Sequence, residues 1–282
     1  MNFAQKLDQI IQKNNSCVCV GLDSEYERLP DCVKNSANKA ENIFAFNKAI
    51  IDQTYDLVCA YKPNAAFYES AGAAGWEALA KTLAYIKEKN PELITIIDAK
   101  RGDIGNTNAN YCRALLEDLD FDAITLQPYL GKESLEPFWQ KKDKGMMILV
   151  HTSNQGAGEL QNLECDHPRW GKKPLYQIVA HQVAEEWNEN NNMAIVAGAT
   201  YPEELGKIRQ IINDLPMLIP GVGKQKGDVE KTIRLGADSN GRGMIINSSR
   251  SIIFADSSVN FAKTARKKTL ELKNIINEYR KK

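Results

Sequence analysis

Histidine is scarce. His151, His167 and His181 are the three in a chain of 282 residues. They are scattered, and no His/carboxylate group has the spacing of metal ligands. Cysteine occurs six times but never as C-x-x-C. Cys17, Cys19 and Cys59 lie in apolar runs, where reduced cysteines act as small hydrophobes. Net charge is missing as well, because 36 basic residues balance 36 acidic ones. That argues against nucleic acid or an anionic membrane as a partner, and any anion must be held by a local site. No stretch approaches the roughly 18 apolar residues of a membrane span. The N-terminal ten residues read as the start of an amphipathic helix and lack the apolar core of a signal peptide. A reducing cytoplasm is the expected location. No linker, repeat or low-complexity segment divides the chain, so residues 1–282 are expected to form one domain.

What is present is an alternation. With 43% hydrophobic and 26% charged residues, the chain has the composition of a globular protein able to bury a large core. Strand-like apolar segments fall at 17–23, 57–62, 93–98, 123–127, 146–151, 193–197, 217–221 and 244–247. Helical spacing follows each of them, at 40–56, 75–90, 106–119, 132–144, 174–190, 203–213, 228–235 and 261–280. A further helix leads the chain. Strands that are apolar without alternation predict a parallel sheet covered on both faces. Eight such units predict an α/β fold, a single (β/α)8 TIM barrel with an N-terminal helix. The competing open, doubly wound sheet usually has fewer units, and no G-x-G-x-x-G follows the first strand. The basic terminal helix, with Arg266, Lys267, Lys268, Lys273, Arg280, Lys281 and Lys282, reads as a solvated face and not as a nucleic-acid site.

Active sites of such barrels lie at the C-terminal ends of the strands. Here Asp23 ends the first strand, Lys62 the second, and Asp98 and Lys100 the third. Two-residue spacing on a strand puts Asp98 and Lys100 on one face. Arg101, Gly102 and Asp103 follow in the loop. An alternating array of lysines and carboxylates holds each lysine protonated and each carboxylate ionised. Its lysines are then acids and anchors rather than Schiff-base nucleophiles, which need a depressed pKa.

A Gly-rich stretch, Pro220-Gly221-Val222-Gly223-Lys224-Gln225-Lys226-Gly227-Asp228, follows the seventh strand and opens a helix. The eighth strand ends in Asn247-Ser248-Ser249-Arg250. Loops after strands seven and eight commonly form a phosphate cup, with backbone N–H groups aimed at the anion. Arg250 can pair with a phosphate through two hydrogen bonds.

These residues resemble the orotidine 5'-phosphate decarboxylase family, in its longer bacterial (type 2) branch, best over residues 17–255. The most specific match is Asp98-Ala99-Lys100-Arg101-Gly102-Asp103-Ile104, with Thr107 three residues on, which fits D-x-K-x-x-D. Pro220 and Gln225 resemble the family's phosphate-loop pair, and Arg250 its phosphate arginine. Ser153, in Thr152-Ser153-Asn154, resembles its pyrimidine-contacting serine, while Asp23 and Lys62 resemble its ribose-side pair. Gln155 and Ser249 depart from the Pro and Gly of many relatives, which bears on loop geometry.

The resemblance implies cofactor-free decarboxylation of orotidine 5'-monophosphate to UMP and CO2, the last step of de novo pyrimidine nucleotide synthesis. It implies a catalytic array of Lys62, Asp98, Lys100 and Asp103. It also implies a homodimer in which Asp103, Ile104 and Thr107 enter the partner's site. Two other readings compete. One is a metal-dependent sugar-phosphate enzyme on the same barrel, whose relatives lack a lysine at the Lys62 position. The other is a non-catalytic nucleotide sensor, which needs no buried Lys–Asp lattice.

Overall fold

The structure, a computed structural model, describes residues 1–222 and 226–280. Its strands in chain order are β1 (Val18–Gly21), β2 (Ala60–Lys62), β3 (Ile94–Arg101), β4 (Ala123–Leu126), β5 (Gly145–His151), β6 (Glu164–His167), β7 (Gly171–Pro174), β8 (Met193–Ala197), β9 (Met217–Pro220) and β10 (Met244–Ser248). Eight of them close into a barrel in the order β1-β10-β9-β8-β5-β4-β3-β2. Every barrel pairing is parallel. The fold is the (β/α)8 barrel that the alternation predicted.

The barrel strands are apolar along most of their length because both faces are buried, one in the barrel interior and one under the helices. Register brings their ends level. Gly21 pairs with Lys62, and Asn247 with Pro220. The polar residues that terminate these strands therefore share one rim.

The leading helix, Phe3–Asn14, covers the opposite end. A capping box between Asn2 and Gln5 fixes its start. The Phe3 ring lies against Gly145, where a Cβ would come within 2.6 Å of it. Cys17, Cys19 and Cys59 are fully buried and unpaired. Burial pushes the Cys17 thiol up to about 11 and the Cys19 thiol up to about 12. These are neutral, packing thiols. Among the described residues no helix is long and apolar enough to cross a membrane.

Some expectations were wrong. The helix expected over 132–144 is two short turns, Gly131–Ser134 and Glu136–Trp139. Pro137 has no N–H to continue a helix begun before it, and it sits in the first turn of the second piece. An antiparallel hairpin, β6 with β7, was not anticipated. It lies outside the barrel, and its exposed, polar strands carry no apolar signature. The helices beginning at Gly105 and Leu175 relax into π turns over Arg113–Asp118 and Gln182–Trp187.

Candidate active site

Asp98 is the centre of the charged rim. Its Oδ2 accepts from Lys62 Nζ at 2.8 Å and its Oδ1 from Lys100 Nζ at 2.6 Å. Thr125 Oγ1 donates to the same Oδ1 at 2.9 Å. Lys62 is 3% exposed, so this is a desolvated ion pair. Burial alone would depress Lys62, but Asp98 and Asp23 outweigh it and raise its pKa. Burial opposes ionisation of Asp98, yet Lys62 and then Lys100 hold its carboxyl far below the usual carboxylate range. Both directions agree with a lattice of fixed charges.

Lys100 arrives there by an unexpected route. Its φ is +47°, in the left-handed region, and the pairing of β3 with β4 shifts register between Ile97 and Arg101. The simple same-face argument is therefore incorrect for Lys100. The strand is bulged, and the Lys100 N–H donates to Thr125 Oγ1 at 2.9 Å instead of joining a regular ladder. Left-handed backbone in a residue other than glycine costs about 1–2 kcal/mol, and this local contact offsets part of it.

Asp23 lies two residues beyond β1, and its Oδ1 is buried without a hydrogen-bond partner. The segment is held from below. Tyr68 OH donates to Leu22 O at 2.9 Å, and Ser24 Oγ to Asn47 Oδ1 at 2.5 Å. The amide of Asn47 donates to Tyr68 OH and to Thr82 Oγ1. This buried network leaves one carboxylate oxygen of Asp23 free to accept.

Asp103 stands apart from the lattice. Its Oδ1 accepts from the Ile104 N–H at 2.7 Å. The fully buried Asn108 clamps the turn, accepting from the Asp103 N–H and donating to Asp103 O and Ser134 O. Ile104 is 65% exposed. Thr107 is half-buried in the helix Gly105–Cys112.

The ends of β5, β8 and β9 meet at Ser153. A Cβ on Gly198 would come within 2.8 Å of the Ser153 backbone nitrogen, so glycine permits the approach. Ala199 N donates to Pro220 O at 3.0 Å. His151 ends β5, buried against Tyr176 and Tyr201, and bonds Asn162. Gln161 holds both the N–H and the hydroxyl of Thr152. Across the rim, a Cβ on Gly21 would overlap Ser249 Oγ at 1.8 Å. Arg250 is exposed at the start of the short helix Arg250–Ile253. Gln225 lies outside the described residues.

Two sizeable concavities lie away from this rim. One of about 470 Å³ is flanked by Trp139 and Trp187, and one of about 760 Å³ runs by Asn2, Asp8 and Pro216. Neither contains a member of the Lys–Asp lattice. Among the described residues no group of three or more His, Cys, Asp or Glu side chains is placed to hold a metal ion.

Comparison with known proteins decides the family. The model of the orotidine 5'-phosphate decarboxylase / HUMPS family matches residues 16–265. The chain belongs to that family. It is 45% identical over 277 residues to the orotidine 5'-phosphate decarboxylase of Cellvibrio japonicus, covering 98% of each chain. Identity is also 45% over 277 residues with that of Roseiflexus castenholzii, again covering 98% of each. The solved OMP decarboxylase of Leishmania donovani superposes with a TM-score of 0.83 at 33% identity, over the full length of both chains.

Within this decarboxylase family fold, Lys62, Asp98 and Lys100 come together directly. Asp23 enters as a charge acting on Lys62. Ser153 and Pro220 gather at one sector of the rim. Thr125, Asn47 and Asn108 were missed by sequence reasoning. Thr125 had a weak signal, as the polar residue in an otherwise apolar strand.

Proposed function

We propose that this protein decarboxylates orotidine 5'-monophosphate to UMP and CO2 without a cofactor, as one catalytic domain spanning residues 1–282. The reaction closes de novo pyrimidine nucleotide synthesis, and its location is a reducing cytoplasm. The observation that carries the reading is Asp98 clasped by Lys62 and Lys100 at the barrel rim.

Loss of CO2 from C6 of the pyrimidine leaves a carbanion with no cofactor to absorb it, so fixed charges must do so. Lys100, about half exposed at its side chain, stabilises that charge and delivers a proton to C6. Asp98 orients Lys100. Asp23 and Lys62 bind the ribose, Ser153 the pyrimidine, and Pro220, Gln225 and Arg250 the phosphate. The metal-dependent sugar-phosphate reading fits less well. Both Asp98 oxygens are taken by ammonium groups and a hydroxyl, and a cation would have to displace them.

The assay is loss of orotidine-phosphate absorbance in the presence of EDTA. Turnover unaffected by the chelator is expected. No turnover, or turnover that EDTA abolishes, would sink the reading. Arg250→Ala is expected to raise KM by roughly 10- to 100-fold, the value of a charge-assisted bidentate contact. An unchanged KM would remove Arg250 from the phosphate site.

Asp103, Ile104 and Thr107 are assigned to the partner's site in a homodimer. The turn is clamped by Asn108, and Ile104 is exposed, as are Tyr129 and Leu130 on the loop after β4. Mixing Lys100→Ala with Asp103→Ala chains tests this. Random pairing gives half heterodimers with one intact site each, so about a quarter of wild-type activity should return. Each variant alone should be inactive. If the mixture shows no recovery despite subunit exchange, the shared site is wrong.

A further inference from the structure

Lys100 is held at both ends by one side chain. Its backbone N–H donates to Thr125 Oγ1 at 2.9 Å. The Thr125 hydroxyl in turn donates a hydrogen bond to Asp98 Oδ1 at 2.9 Å. That same oxygen accepts from Lys100 Nζ at 2.6 Å. The three contacts close a ring that runs from the lysine main chain, through a hydroxyl and a carboxylate, to the lysine ammonium. Thr125 is 1% exposed on β4, where its strand pairs with β5 on the far side through Met147. It is thus fixed by the barrel frame and does not adapt to the loop.

The ring has a conformational purpose. Lys100 sits at φ +47°, where the bulge has removed its regular strand partner. An N–H withdrawn from water without an acceptor is costly, and Thr125 supplies an acceptor for this part-buried one. A hydroxyl can accept from the main chain and donate to a carboxylate at once. Valine has the same shape and can do neither. Serine can do both.

We infer that Thr125 is a positioning residue for Lys100. Its hydroxyl fixes the left-handed backbone of Lys100 and the carboxylate that anchors the Lys100 ammonium, so the proton is presented to the reacting carbon in one geometry. The inference rests on the reading of Lys100 as proton donor to orotidine 5'-monophosphate. It adds a group that touches no substrate and acts on the chemical step alone.

The test compares Thr125→Val and Thr125→Ser with the wild type and Lys100→Ala, using orotidine 5'-monophosphate for turnover and UMP for binding. Thr125→Val is expected to lower kcat by about 10- to 100-fold, the effect of a loosened catalytic geometry. Its KM and UMP affinity should stay within about twofold, because the groups assigned to binding are untouched. Thr125→Ser should recover most of kcat. A merely structural role would move KM and kcat together and would not be rescued selectively. If Thr125→Val does not fold, Thr125→Ala against Thr125→Ser makes the same comparison. A hydroxyl-free variant with wild-type kcat, beside an inactive Lys100→Ala, overturns this inference alone. A wild type that does not turn over the substrate, or an active Lys100→Ala, overturns the underlying reading and the inference with it.

Discussion

Lys100→Ala is expected to lower kcat by about four orders of magnitude or more while leaving UMP affinity measurable. Positioned proton transfer contributes roughly 10²- to 10⁴-fold, and removing a preorganised group aimed at developing charge costs about 10²- to 10³-fold. Lys100 supplies both if it faces the carbanion. Its ammonium is held by Asp98 at 2.6 Å while its side chain is about half exposed, so it is anchored on a side chain still open to a ligand. Steady-state kinetics with orotidine 5'-monophosphate and a UMP titration decide the matter. Residual activity within about tenfold of wild type would contradict the proton-donor role, because no neighbouring acid on the described rim could take its place at such small cost.

The same geometry limits another explanation, in which Asp98 drives CO2 out by repelling the substrate carboxylate. Two like charges at about 4 Å repel by about 4 kcal/mol at an effective dielectric of about 20. Large enzymatic accelerations need roughly 20 kcal/mol. Asp98 is moreover clasped by two ammonium groups and a hydroxyl, so its field at a neighbouring anion is largely compensated. The weight shifts to stabilisation of the carbanion by Lys100 and to phosphate binding energy used to close the site.

Most of the barrel was legible because strands buried on both faces are written largely as apolar runs, as in Met193–Ala197. The charged lattice was legible because lysines and aspartates at apolar strand ends are conspicuous. Features set by distant contacts were not. Asn47 looks like an interruption of a helix face until Ser24, Tyr68 and Thr82 close around it. The β6–β7 hairpin has neither apolar alternation nor burial to announce it. Lys100 was placed beside Asp98 by assuming a regular strand. Contact with Asp98 was the correct outcome, but the left-handed backbone that produces it depends on a threonine in the next strand.

The lattice proposed to support the chemistry should also be a point where the fold is vulnerable. Removing one member of a buried ion pair leaves an uncompensated charge and costs about 3–5 kcal/mol, so Asp98→Ala is expected to be strongly destabilising, with Lys62 as the stranded group. The pH dependence gives this a signature. In the wild type, the depressed Asp98 contributes stability above its unfolded value of about 4, and that contribution is lost as pH falls toward its folded pKa. The raised Lys62 contributes below its unfolded value of about 10, and its share is lost only as pH rises through the folded pKa. The pair is therefore fully effective between those limits. Burial is already the largest influence on Lys62; without Asp98 it is opposed chiefly by Asp23, and the folded pKa of Lys62 is expected to drop below the unfolded one. The unfolded chain then binds more protons at neutral and mildly alkaline pH, and stability must rise with pH. Urea denaturation should show the deficit of Asp98→Ala narrowing from about pH 6 to about pH 10. The double variant Asp98→Ala/Lys62→Met, which replaces the stranded ammonium by an apolar group of similar length, should recover much of the loss and flatten the pH dependence. A deficit that is constant with pH, or a double variant no more stable than Asp98→Ala, would show that the loss comes from packing at Asp98 and not from the charge of Lys62.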